Sequence, residues 1–78
     1  MRRVKLFMNK AQRELEAIVG EIDANLSNNY KSTAHAAREK LGKRTEQLYC
    51  SGALDEKKYK KYMGLFEQYT VMMKNYHH

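Results

Sequence analysis

The sequence contains no proline, four glycines and a single cysteine, Cys50. One thiol cannot close an intrachain disulfide, so a disulfide-stapled secreted scaffold is excluded. Long apolar runs are also missing. The opening Met1-Arg2-Arg3-Val4-Lys5-Leu6-Phe7-Met8 carries the charge of a signal-peptide start, but Asn9, Lys10, Gln12, Arg13 and Glu14 interrupt any apolar stretch behind it. No run approaches the length of a membrane span. The expectation is a soluble, cytoplasmic protein with no membrane partner.

Motifs of chemistry are equally scarce. There is no glycine-rich phosphate loop, no Gly-x-Ser-x-Gly and no His-Glu-x-x-His. His35 has only Glu39 at helical spacing, which is a surface pair rather than a metal site. His77 and His78 end the chain, and Cys50 has no histidine near it in sequence. A chain of 78 residues is too short for a multi-domain enzyme, a Rossmann unit or a barrel. A bundle of this size also lacks room for a ligand pocket of several hundred Å³. These absences argue against catalysis, a metal, a cofactor and a small-molecule substrate.

What is present is helical periodicity in one domain spanning residues 1–78. Leu, Ile, Val and Phe total fourteen, few enough that Met, Tyr and Ala must supply much of the core. The first stripe is Val4, Met8, Ala11, Leu15, Ile18, Ile22 and Leu26, stepping by three and four. Ser27-Asn28-Asn29 breaks it with turn-forming residues. A narrower, alanine-rich stripe follows: Tyr30, Ala34, Ala37, Leu41, Thr45 and Leu48, with Gly42 inside it as a point of close approach. Gly52 suits the left-handed residue that ends a helix, and Asp55 suits an N-cap, with Leu54 and Tyr59 placed as a hydrophobic staple. The third stripe is Tyr59, Met63, Phe66, Thr70 and Met73. Helices over about 3–26, 29–50 and 55–76, joined by tight turns, predict an all-α, up-down-up three-helix bundle. The alternative is a helical hairpin completed by homodimerisation.

The third helix carries more apolar surface than one seam needs. A second stripe, Tyr62, Leu65, Tyr69, Met72 and Tyr76, runs beside the first. Tyr and Met are favoured at interfaces, so these five residues form the candidate contact with another protein or a second copy. Charge offers a different function. Residues 1–30 are nearly neutral, whereas residues 31–78 carry ten Lys/Arg against five Asp/Glu. A hairpin about Ser51–Leu54 would bring Arg38, Lys43 and Arg44 together with Lys57, Lys58, Lys60 and Lys61 as one positive end. With Tyr59 and Tyr62 among them, these seven are the candidate phosphate-binding residues for nucleic acid.

Overall fold

The computed structural model describes residues 9–74. It consists of α1 (Lys10–Ser27), α2 (Lys31–Cys50) and α3 (Glu56–Lys74), with no strand among the described residues. Helix α1 packs on α2 and α2 on α3, so the chain is an all-α bundle. Arg44 of α2 reaches Glu14 of α1 while Thr33 reaches Asn25, which sets those two helices antiparallel. Tyr62 and Tyr69 of α3 reach Glu16 and Asp23 of α1, so α1 and α3 run parallel and the order is up-down-up.

Each boundary has a local cause. Asn9 is extended (φ −77°, ψ 174°), and its side-chain oxygen accepts the Gln12 N–H at 2.8 Å. Helix α1 therefore begins at Lys10, and residues 3–8 of the expected first helix lie outside the described residues. An Asn followed three residues later by Gln is a capping-box pattern that the apolar step from Met8 to Ala11 obscures. Both α1 and α2 end in the same motif, in which a left-handed residue follows the cap. Asn29 (φ 61°) and Gly52 (φ 86°) occupy that position. The following amides, Tyr30 N–H and Ala53 N–H, donate back to Asn25 O at 2.8 Å and Leu48 O at 2.9 Å. Asp55 caps α3 by accepting the Lys58 N–H at 2.8 Å, and Leu54 behind it is buried.

The core takes Ala11, Leu15, Ile18 and Ile22 from α1, and Ala34, Ala37, Leu41 and Leu48 from α2. Tyr62, Tyr69 and Met73 come from α3, and Leu54 from the turn. Thr45 fills its expected place in the α2 stripe, its hydroxyl donating to Leu41 O at 2.7 Å. Tyr30 departs from that stripe: it sits at the N-cap of α2 and is 60% exposed. The Asn29 turn carries the chain away from the core just before α2 starts. Val4 and Met8, the first steps of the α1 stripe, lie outside the described residues.

Candidate interaction surface

Helix α3 covers two neighbours at once, and this decides where its apolar residues go. Its buried arc centres between the two expected stripes, on Tyr62, Tyr69 and Met73, with Phe66 part-buried beside them. Tyr62 is fully buried and Tyr69 is 8% exposed. These two candidate contact residues are therefore core residues. Their hydroxyls donate to Glu16 Oε2 and Asp23 Oδ1, each at 2.6 Å. Burial pushes both phenols up to about 12, and the neighbouring carboxylates add to the shift. Leu65 is part-buried against the core, Met72 is 42% exposed, and Tyr76 lies outside the described residues. Of the described residues of the second stripe only Leu65 and Met72 reach the surface, because Tyr62 and Tyr69 find acceptors one heptad apart on α1.

The apolar surface that remains lies elsewhere on α3. Met63 and Phe66, expected in the first core stripe, are only part-buried. With Gly42, Lys43, Glu39, Glu46 and Gln47 of α2 they line an open groove of about 520 Å³. A bundle of this size is expected to lack room for a pocket of that order, and the space that exists is an open surface groove between two helices. Gly42 makes its floor: a Cβ there would lie 2.8 Å from Phe66 Cε1, so the ring packs directly on the α2 backbone. Toward one end Arg38 lies against the Phe66 ring, its guanidinium 5.5 Å from the ring centre and donating to Thr70 Oγ1 at 3.1 Å. At the other end Tyr49 and Tyr59 stack with centroids 4.1 Å apart, and the Tyr59 hydroxyl donates to Glu46 at 2.9 Å. That bond to a carboxylate raises the Tyr59 pKa. Val71, on the outward side of α3, is 63% exposed.

The seven basic candidates do not form one free patch. Arg44 Nε and Nη2 donate to the two oxygens of Glu14, at 2.5 and 2.8 Å, while Nη1 donates to Gln47 at 2.7 Å. The hydrogen bond from Arg44 holds the Glu14 carboxyl below its usual range and, reciprocally, raises the guanidinium. Lys61 is 3.7 Å from Glu16, Lys60 3.4 Å from Glu56 and Lys58 3.8 Å from Asp55. Arg38 is 3.5 Å from Glu39 and largely buried. Lys43 and Lys57 are exposed, with no carboxylate within 4 Å among the described residues.

The register also separates the clusters. Gly42 meets Phe66, Arg38 meets Thr70 and Tyr49 meets Tyr59. Lys43 therefore stands level with Leu65, about one helical turn from Lys60 and Lys61. Arg44 and Lys61 point to acids of α1, whereas Lys43 borders the groove. Sequence periodicity missed these acids because they belong to a different helix.

Other chemistry is sparse in the described region. Cys50 is an exposed free thiol, and no group of three or more His, Cys, Asp or Glu is placed to hold a metal ion among the described residues. Among the described residues, no helix is long and apolar enough to cross a membrane. Comparison of the chain with protein-family models, with curated proteins and with solved structures finds no match in any of the three.

Proposed function

We propose that this chain is a non-catalytic protein-binding module that docks through the groove between α2 and α3. The observation that carries the reading is the part-buried pair Met63 and Phe66, held open to solvent over Gly42 in a groove of about 520 Å³. Among the described residues the fold packs twelve hydrophobic side chains into one core and leaves these two where a partner's side chain reaches them. A methionine beside an aromatic ring gives an adaptable apolar floor, and the charged rim of Glu39, Lys43 and Glu46 supplies orientation. A regulatory or adaptor role follows from binding without catalysis.

The nucleic-acid reading has less behind it. Five of its seven cations already face carboxylates within 4 Å, so a phosphate would compete with acids of the same chain.

The test is affinity capture from native lysate, split into nuclease-treated and untreated halves, with wild type compared against Met63→Glu. The expected result is a protein that survives nuclease and is lost with Met63→Glu. Recovery that disappears with nuclease and persists in Met63→Glu would reverse the order of the two readings.

A further inference from the structure

The two rims of the α2–α3 groove carry opposite sequences of charge. On α2 the rim reads Glu46, Lys43, Glu39 moving away from the Ser51–Leu54 turn. On α3 the residues that share the Met63 flank at spacings of three and four are Lys60, Glu67 and Lys74. The register fixed by Gly42 with Phe66 and Arg38 with Thr70 gives their heights. Lys43 stands two residues, about 3 Å, from the height of Glu67, and Glu46 stands the same distance from Lys60. Glu46 and Lys43 on one rim thus run beside Lys60 and Glu67 on the other with the sign reversed at each height, whereas Glu39 stands level with Tyr69, five residues from Lys74. Among the described residues, no ion pair within 4 Å bridges the two rims.

We infer that the occupant of this groove is a second copy of the chain, related by a two-fold axis running along the groove. Such an axis lays α2 of each copy on α3 of the other, antiparallel and at unchanged heights. Lys43, with no carboxylate of its own chain within 4 Å among the described residues, then faces the partner's Glu67, and this contact occurs twice by symmetry. Glu46, which accepts the Tyr59 hydroxyl, comes near the partner's Lys60, which already has Glu56 at 3.4 Å. Met63 and Phe66 of the two copies meet at the centre. The result is a four-helix layer of two α2–α3 pairs with the α1 helices outside, neighbours meeting as in a bundle. The apolar centre of two side chains per copy is small against the roughly 800 Å² per partner of a stable complex, so the association is weak. This inference rests on the groove being the docking surface and names the partner that fills it.

The experiment is sedimentation equilibrium of the full chain up to about 0.5 mM, at about 0.15 M salt so that the repulsion between two chains of net charge +6 is screened. Wild type is expected to show a monomer–dimer equilibrium. Lys43→Glu and Glu67→Lys are each expected to weaken it about tenfold, since each substitution damages two symmetric contacts. The double variant Lys43→Glu/Glu67→Lys is expected to regain wild-type association within about threefold, which a merely destabilising change would not do. Both positions are exposed, and helicity by circular dichroism checks that the variants fold. Met63→Glu is expected to be monomeric. A wild type that stays monomeric at the highest concentration overturns the inference, as does a double variant no better than its parents. A monomer that still captures a different protein through Met63 overturns the inference and leaves the groove as the docking surface. A monomer whose capture ignores Met63 overturns both.

Discussion

Phe66 lies on Gly42 so closely that a β-carbon at residue 42 would stand 2.8 Å from Cε1 and 3.0 Å from Cδ1 of the ring. Gly64, also within a helix, has nothing within 4 Å of the same position. The two glycines should therefore respond oppositely to alanine. Gly64→Ala gains about 0.5–1 kcal/mol of helix propensity without opposition. Gly42→Ala gains the same propensity but must move the ring from beneath Arg38, and its net change is near zero or unfavourable. Gly42→Val, with a branched side chain in the same space, costs about 1–3 kcal/mol. Chemical denaturation of the three variants checks the order.

The paired bonds Tyr62–Glu16 and Tyr69–Asp23 predict an alkaline limit to stability. Both phenols are raised from 10 to about 12 in the folded chain, mainly by burial. A group whose folded pKa lies above its unfolded value contributes stability that is complete below the unfolded pKa and is lost as pH rises through the folded one. Stability should thus hold below about pH 10 and fall between about pH 10 and 12. Tyrosinate absorbance should show two phenols titrating with unfolding. Tyr62→Phe removes the bond to a part-exposed carboxylate that water can re-solvate, at a cost of about 1 kcal/mol. Tyr69→Ala removes a buried ring as well and costs about 3 kcal/mol or more. Val71→Ser, on the outward face of the same helix, should change stability by less than about 0.5 kcal/mol.

At the acid end the relevant group is Glu14. Arg44 holds its carboxyl below the usual carboxylate range. A depressed pKa contributes stability that is present above the unfolded value and is lost as pH falls through the folded one. Arg44→Met should therefore lower stability at neutral pH and flatten its pH dependence below about pH 4.5, so that variant and wild type converge in acid. A melting series across that range, wild type against variant, reads the difference directly.

Internal pairing of the cations predicts poor binding to nucleic acid. A labelled single-stranded oligonucleotide should bind the chain no tighter than about 10⁻⁴–10⁻⁶ M at physiological salt, the ordinary non-specific range. Lys43→Glu/Lys57→Glu removes the two cations that face no carboxylate among the described residues, and should abolish even that binding. Nanomolar affinity by fluorescence anisotropy would contradict the pairing argument.

How much of this was legible in the sequence depends on whether a feature is local. Stripes at spacings of three and four give the three helices, and Asp55, Gly52 and the alanine-rich face of α2 follow from residues within a turn or two. Gly42 marks close packing in the sequence, although its partner Phe66 becomes visible only once the α2–α3 register is known. The fates of Tyr62 and Tyr69 depend on Glu16 and Asp23, 46 residues away in each case. The shared heptad spacing of the two pairs is the one sequence signal that points to them. Arg44 and Lys61 look like a patch along the chain and become parts of ion pairs in space. A single helix's periodicity describes a face without saying which neighbour covers it, so the core arc of α3 fell between its two apparent stripes.

The most direct test of the central claim is a chemical-shift map of the isotopically labelled chain, titrated with the captured partner or with unlabelled copies of itself. The account predicts that the largest changes fall on Gly42, Lys43, Gln47, Met63 and Phe66, with Leu65, Met72 and the outward face of α1 unmoved. Changes centred on Leu65 and Met72, or on Lys57, Lys58 and Lys61, with the groove silent, would contradict it.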